Sequence, residues 1–306
     1  MYHADPADEG DPSSGFSYYQ SLPIILIAFL VLSCHESRKK QIIAKAEAQT
    51  SINKPPEKKL LPVAVIKPQL KKKKIYLTFD DGPNKGTMNV LDIMQQEDVP
   101  VTFFIVGQHV FTSIGKNHVW DSLKMAKNIE LCNHSYSHAH NHYTRFYKTP
   151  EVVVKDVEKT KESLLPDNNI VRAPGRNSWR IDSLHFTDIK KSKKAMDSLQ
   201  QAGFVVFGWD LEWHYDPKTL ALKNTANQLL SQIDSVFNHD KTKTKDNMVL
   251  LAHDQVYQKS ADSTQLRDLI QLIKRRDDYE LALVNSYPGI VKQPADGNKG
   301  SSGLGQ

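Results

Sequence analysis

Two adjacent carboxylates end an apolar run and are the most chemically suggestive residues of the sequence. The run 75–79 (IYLTF) is followed by Asp80, Asp81, Gly82 and Pro83. Side chains of a strand point to alternate faces, so the two carboxylates can serve different purposes. Neighbouring carboxylates are costly to bury unless a cation compensates their charge. The alternative interpretation is an ordinary strand followed by an Asp-Gly turn.

A pair of histidines could supply that cation through a bound metal ion. His134 and His138 are four residues apart and would share one face of a helix. Two imidazoles and one carboxylate, which Asp81 could supply, suit zinc, with cobalt or nickel as alternatives. His140 and His142 follow, so the pair 138/142 has the same spacing. A histidine-rich loop that binds no metal is the other interpretation, and spacing alone leaves the choice open.

Further polar and aromatic residues stand at the ends of later apolar runs. They are Arg172, Gly175, Trp209, Asp210, Glu212, Trp213 and His253. In barrels of parallel strands the active site lies at the carboxyl ends of the strands, which is where these residues are expected. Trp209 and Trp213 could line a binding cleft, although ordinary packing at a strand end would also explain them.

Apolar runs alternate with amphipathic stretches from residue 75 onward. The predicted strands are 75–79, 100–106, 129–132, 169–173, 204–209, 248–252 and 280–284. The predicted helices are 86–97, 108–128, 150–165, 188–202, 220–237 and 262–276. This alternation predicts an α/β fold: an irregular (β/α)7-type barrel related to the TIM barrel, forming one catalytic domain.

The basic charge of the chain is concentrated outside the predicted domain. Residues 35–74 carry twelve Lys or Arg and three Asp or Glu, whereas acids and bases balance over 75–306. A basic tail on a neutral domain argues against a nucleic-acid partner. We predict a leader at 1–34, a basic Pro- and Lys-containing linker at 35–74, the catalytic domain at 75–290 and a disordered tail at 291–306.

The N-terminal region has features of a bacterial lipoprotein leader. The apolar run 22–33 is short for a membrane span but fits the apolar region of a signal peptide. It ends in Val-Leu-Ser-Cys, which is typical of a lipidation signal and makes Cys34 the predicted lipidated residue. The acidic residues 1–20 and the basic residues 38–40 disagree with this orientation, so an uncleaved anchor is the alternative. We expect a membrane-anchored protein of the cell envelope, or else a secreted one.

Four motifs resemble those of the NodB-type polysaccharide deacetylases, carbohydrate esterase family 4. They are 78–83 (TFDDGP), 134–138 (HSYSH), 172–174 (RAP) and 251–253 (LAH). The resemblance extends over roughly residues 75–285. It implies that Asp81, His134 and His138 bind a divalent metal ion, and that Asp80 is the general base.

The resemblance also implies roles for residues of the later motifs. Arg172 would hold Asp80, His253 would protonate the leaving amine, and the Gly175 N–H would help to hold the oxyanion. The family often has an aromatic residue where this chain has Gly175. The usual fourth motif, Asp-x-x-Asp-Trp, is one residue shorter here, so that either Asp210 or Glu212 could support Arg172 or His253.

The expected activity is metal-dependent removal of N-acetyl groups from an amino-sugar polymer such as peptidoglycan or a chitin-type glycan. Two alternatives stay open. One is O-deacetylation of acetylated xylan, for which the same residues would serve. The other is a catalytically silent module that only binds glycans.

Overall fold

The computed structural model describes residues 71–165 and 167–291. The predicted leader 1–34 with Cys34, residues 35–70 of the predicted linker, and all but the first residue of the predicted tail lie outside this range. The first strand begins at Lys73, two residues before the start of the predicted strand 75–79. No helix among the described residues combines the length and the apolar character needed to cross a membrane.

One curled sheet organises the described chain. Its strands are β1 (Lys73–Gly82), β2 (Val101–Ile105), β3 (Ile129–Asn133), β4 (Ile170–Val171), β5 (Ser178–Ile181), β6 (Leu184–Thr187), β7 (Val205–Val206), β8 (Leu211–Glu212), β9 (Asn247–His253) and β10 (Tyr279–Leu281). Their order is β6-β5-β7-β4-β3-β2-β1-β9-β8, with β10 also beside β1. The pairs are parallel except where β5 meets β6 and β7. The sheet confirms the predicted irregular barrel and adds β5, β6 and β8 to the predicted strands.

Helices connect most of the parallel strands. They are α1 (Thr87–Glu97), α2 (Gly107–Val110), α3 (Ile114–Met125), α4 (Tyr143–Phe146), α5 (Pro150–Leu164), α6 (Lys193–Gln201), α7 (Ala226–Asn238) and α8 (Ser260–Lys274). The single helix predicted over 108–128 is wrong: Ser113 is extended there and its side chain caps α3 by accepting from the Lys116 N–H at 3.2 Å. The helix predicted from residue 188 begins at Lys193, because β6 occupies the preceding segment.

Strand β1 is buried on both faces and separates two cores. Ile75, Leu77 and Phe79 belong to the large core between the sheet and the helices. Tyr76 belongs to a second core on the other face, inside the curl of the sheet. Because strand side chains alternate, Asp80 points to the same interior as Tyr76. Strand β1 thus places the Asp80 carboxylate inside the barrel.

The interior core is rich in aromatic rings and forms the floor beneath that carboxylate. It includes Tyr76, Phe104, Trp179, Phe207 and Tyr287. The rings of Phe104 and Phe207 stack with centroids 6.3 Å apart. Cys132 lies in this core as a free cysteine.

Candidate active site

The end of β1 presents both of its carboxylates to one cleft. The β1–β2 ladder shifts register between Phe79 and Gly82, and Asp81 has a left-handed φ of 76°. A bulge of this kind redirects a side chain that regular alternation would send to the opposite face. Asp80 and Asp81 therefore line the same cleft, which has a volume of about 250 Å³.

The histidine pair reaches that cleft through a turn and not through a helix. His134 follows β3 directly, and Ser135 has a left-handed φ of 64°. His138 opens the short turn His138–Asn141, whose residues all have positive φ. The helical interpretation of the spacing is wrong, yet the turn brings the rings of His134 and His138 to 5.2 Å from each other.

Asp81, His134 and His138 form a cluster that could hold a metal ion. Their ligand atoms lie within 4.8 Å of one another. Asp81 Oδ1 is 3.4 Å from His134 Nε2 and 3.1 Å from His138 Nε2. This oxygen is buried, and no described residue offers it a hydrogen bond of good geometry. Burial opposes ionisation, but the two imidazoles hold the pKa of Asp81 well below its usual range.

Hydrogen bonds at the far side of each imidazole leave both Nε2 atoms facing Asp81. His134 Nδ1 donates to the Arg172 carbonyl at 2.9 Å, and His138 Nδ1 contacts Asn141 Oδ1 at 3.2 Å. Such contacts fix the tautomer that a metal requires. His140 and His142 instead line a separate cavity, so the alternative pair 138/142 does not form the cluster.

Arg172 lies beneath Asp80 and is completely buried. Its Nη1 donates to Asp80 Oδ1 at 2.7 Å and to Thr78 Oγ1 at 2.9 Å. The other nitrogens donate to the carbonyls of Phe207 and Gly208. The guanidinium also stacks 4.0 Å above the ring of Phe104, on the aromatic floor. Asp80 is 3% exposed, and this contact gives its buried charge a partner.

His253 stands beside Asp80 on the neighbouring strand. The β1–β9 register pairs Asp80 directly with His253. The His253 ring lies 5.2 Å from that of Tyr215, and its Nδ1 is buried with no hydrogen-bond partner among the described residues. The imidazole is therefore oriented by packing, without a carboxylate behind it.

Gly175 lies on the opposite wall of the cleft, in the loop after β4. Its φ of +60° is in the left-handed region that favours glycine. Its carbonyl accepts from Arg176 Nη1 at 2.6 Å. Its N–H makes no hydrogen bond within residues 71–165 and 167–291. A backbone donor is thus free at the cleft, where the sequence predicts an oxyanion donor.

The shortened fourth motif is divided between the cleft and the core. Trp209 and Glu212 line the cleft. Trp213 does not, because its side chain is 1% exposed in the large core and its Nε1 donates to the Asn224 carbonyl. The structure therefore places Trp213 in core packing, the alternative interpretation of this residue.

Asp210 is likewise outside the cleft. Its carboxylate accepts from the N–H groups of Lys243 and Val249 at 2.7 and 2.8 Å. The described hydrogen bonds and ion pairs of Arg172 involve neither Asp210 nor Glu212, and the same holds for His253. Asp210 joins the chain after β7 to β9, so it does not support Arg172 or His253 as predicted. Glu212 Oε1 lies 3.6 Å from His214 Nδ1.

Five residues outside the sequence motifs also line the cleft or contact residues that line it. Tyr143, Asp188 and Tyr215 line the cleft. The Asn177 amide donates to the Trp209 carbonyl at 2.8 Å and its Oδ1 accepts the Trp209 N–H. His109 Nδ1 donates to the Asp81 carbonyl at 2.8 Å. The sequence indicates some of these five residues only because they stand close to motif residues.

Comparison with known proteins finds similarity to polysaccharide deacetylases. Residues 67–176 match the model of the polysaccharide deacetylase family. Chitin disaccharide deacetylase of Vibrio alginolyticus is 27% identical in an alignment that covers 54% of each chain. Peptidoglycan-N-acetylglucosamine deacetylase of Bacillus cereus is 28% identical over 190 residues, which is 60% of each chain. The chain therefore spans about half to three-fifths of the length of these curated relatives.

A solved structure shares the fold. The catalytic domain of peptidoglycan N-acetylglucosamine deacetylase from Eubacterium rectale superposes with a TM-score of 0.52 at 21% identity, covering 74% of this chain and 94% of that one. The likeness concerns the curled sheet and its helices. The match to the polysaccharide deacetylase family model covers residues 67–176, the segment that carries the motifs at 78–83, 134–138 and 172–174.

Proposed function

We propose that the protein is a metal-dependent hydrolase that removes acetyl groups from the amino sugars of a polysaccharide. One observation carries the proposal. A buried carboxylate paired with an arginine, Asp80, stands between a cluster of metal-ligating atoms and an imidazole, His253. General acid–base hydrolysis needs a base and an acid within reach of one substrate atom. The cleft contains both, with candidate metal ligands beside them.

Zinc is the ion that we propose for the cluster. Adjacent ligands of a tetrahedral zinc site lie about 3.4 Å apart, given zinc–nitrogen bonds of about 2.0–2.1 Å. The distances of 3.4 and 3.1 Å from Asp81 Oδ1 to the two imidazole nitrogens fit this value. Three protein ligands leave room for water or substrate, and cobalt or nickel would accept the same donors.

The proposed reaction divides the work among residues of two strands, β1 and β9, and of the loop after β4. A bound divalent ion supplies Lewis-acid activation of water and of the acetamide carbonyl. Asp80 takes the proton of the attacking water, and Arg172 holds Asp80 in position through the 2.7 Å contact. The N–H of Gly175 donates to the oxyanion. His253 then protonates the leaving nitrogen, which yields a free amino sugar and acetate.

The proposed substrate is a polymer that contains N-acetylglucosamine, of the chitin or peptidoglycan type. Support comes from the names of the two curated relatives, which act on a chitin disaccharide and on peptidoglycan N-acetylglucosamine. Trp209 and Tyr143 give the cleft aromatic walls, which suit a sugar ring.

The first experiment measures acetate release from N-acetylglucosamine oligomers by the wild-type protein supplied with zinc, cobalt or nickel. Asp80→Asn should lower kcat by about 10²–10⁴-fold, the usual contribution of a general base, while the bound metal is unchanged. Asp121→Asn, a change at an exposed residue, should have no effect. Absence of acetate with all three metals would contradict the proposal, and release from acetylated xylan alone would replace it with O-deacetylation.

We also propose that the chain is anchored in the cell envelope through a lipid on Cys34. The support is the apolar run 22–33 and the Val-Leu-Ser-Cys sequence that closes it. Mass spectrometry of the protein purified from bacterial membranes should find Cys34 as a lipidated N-terminal residue. A mature chain that retains residues before Cys34 would contradict this proposal.

A further inference from the structure

The wall of the cleft at Gly175 is formed by a side chain from elsewhere in the sequence. If Gly175 carried a Cβ atom, that atom would lie 3.3 Å from Cε1 and 3.4 Å from Cδ1 of Tyr143. The phenol ring therefore packs directly over the glycine. The positive φ at Gly175 disfavours any larger residue there, which keeps the space available for the ring.

The Tyr143 ring is held from three sides. It meets the His138 ring edge to face, with centroids 5.8 Å apart and an interplanar angle of 83°. The Arg176 guanidinium lies 5.7 Å from its centroid. Arg176 is itself nearly buried, donating to Ser192 Oγ at 2.7 Å and to the Gly175 carbonyl. The ring thus bridges a candidate metal ligand and the loop that carries the backbone donor.

The hydroxyl of Tyr143 is available to a ligand. Tyr143 lines the cleft together with Asp80 and Asp81, and its Oη has no hydrogen-bond partner among the described residues. A phenol hydroxyl can both donate and accept a hydrogen bond. An apolar face with one free donor suits a sugar ring that bears an acetamido group.

We propose that Tyr143 is a specificity-determining residue that packs against the acetylated sugar unit and sets the affinity for it. This inference rests on the proposed function, because it concerns the substrate of the same cleft. Gly175 acts with Tyr143, since a side chain at position 175 would displace the ring. The two positions therefore form one recognition element, although 31 residues of sequence separate them.

The test measures binding apart from turnover. The zinc-loaded Asp80→Asn protein is titrated with a chitin-type N-acetylglucosamine oligomer, and kcat and KM are measured in the otherwise wild-type protein. Tyr143→Ala and Tyr143→Leu should each raise Kd and KM by about tenfold, the usual effect of one aromatic contact, with kcat changed less than about threefold. Phe111→Ala, which removes an exposed ring outside the cleft, should change neither constant.

A double-mutant cycle tests the link to Gly175. Gly175→Ala should raise Kd as Tyr143→Ala does, and the double variant should be no weaker than either single variant. Unchanged Kd in both Tyr143 variants, with metal content and Tm preserved, would overturn the inference, as would the absence of any oligomer binding. If the oligomer binds in a Tyr143-dependent way and the wild-type protein releases no acetate, the proposed chemistry fails and the role of Tyr143 stands.

Discussion

At the scale of single residues, the position of Asp80 depends on one guanidinium. Arg172 uses its nitrogens to join Asp80, Thr78 and two carbonyl groups of the chain after β7. Each of these acceptors is buried, so an arginine removed here would leave several polar atoms without a partner. Because Lys has one donor group on a flexible stem, it cannot reproduce this fork.

We therefore expect Arg172→Lys to damage both activity and stability. The kcat should fall by about 10²-fold, the scale of a misplaced catalytic group, and the free energy of unfolding by roughly 3 kcal/mol. The control is Arg180→Lys, which disturbs a buried arginine paired with Asp197 at 2.7 Å outside the cleft. It should lose stability and keep its kcat. An equal loss of kcat in both variants would assign the effect to general destabilisation.

Asp254 offers a pH test at the same scale. Its carboxylate is fully buried and accepts hydrogen bonds from the side chains of Asn84 and Thr87, so it anchors the turn after β1. Burial raises the pKa of Asp254 from 3.8 to about 7. The protonated form is thus favoured in the folded state. Its contribution to stability is complete below the unfolded pKa and is lost as the pH rises through about 7.

Compared with Asp254→Asn, the wild-type protein should therefore lose free energy of unfolding as the pH rises from 4 to 7. This range is bounded by the unfolded and folded pKa values of Asp254. Urea unfolding at a series of pH values measures it. The exposed Asp121→Asn should show no such trend. Parallel curves for wild type and Asp254→Asn would show that the carboxyl titrates alike in both states.

At the scale of elements, a left-handed turn presents the second histidine. His138, Ala139, His140 and Asn141 have φ values of 51°, 55°, 48° and 57°. A left-handed conformation costs a non-glycine residue about 1–2 kcal/mol. The turn places Asn141 against His138 Nδ1 and so helps to aim the ring at Asp81. Strain of this kind persists where the surrounding structure supports it.

His140→Gly should relieve part of this cost. His140 is exposed, and glycine adopts its φ of 48° freely, so the free energy of unfolding should rise by about 1 kcal/mol. Thermal unfolding measures the change. His118→Gly is the matched control, because His118 is an exposed residue inside α3 and glycine there should cost about 1 kcal/mol. Destabilisation of equal size by both changes would show that the turn is not strained.

The elements also show how far the sequence could predict the molecule. The strands that support the site were predictable because they are apolar runs buried on both faces, as in β1, β2 and β9. The hairpin β5–β6 was not, because its short strands mix polar residues with apolar ones and β6 is largely exposed. The motif residues reached the cleft as expected at Asp80, Asp81, His134 and His138.

Features that depend on long-range packing could not be predicted from the sequence. Trp209 and Trp213 have the same residue type and flank one short strand, yet one faces the cleft and the other the core. The pairing of β8 with β9 decides between these faces, and pairing is a long-range property. The turn at His138 could not be predicted either. The spacing of four between His134 and His138 is compatible with a helix and with a compact left-handed loop.

At the scale of the whole molecule, the proposed metal site joins distant segments. Asp81 comes from β1, and His134 and His138 follow β3, while β2 lies between these two strands in the sheet. A ligand that binds only the folded arrangement stabilises it by mass action. Metal binding should therefore act on the stability of the domain as well as on its chemistry.

Zinc at about 100 times its Kd should raise the free energy of unfolding by about 2.7 kcal/mol, and a chelator should reverse the effect. His138→Ala should remove most of this gain. His142→Ala should retain it, because His142 lines the separate cavity. Thermal unfolding with and without zinc gives the comparison. A gain that depends on His142 and not on His138 would move the site to the alternative pair.

The direct pairing of Asp80 with His253 has a consequence for how such a chain can change during evolution. The two side chains are neighbours because β1 and β9 keep one register from Lys74 to Asp80. A single residue inserted in either strand would send one of them to the other face of the sheet. The loops beyond the strand ends can lengthen without that penalty. Changes are therefore reached most easily through segments such as the one that carries Tyr143, while Asp80 and His253 are inherited together.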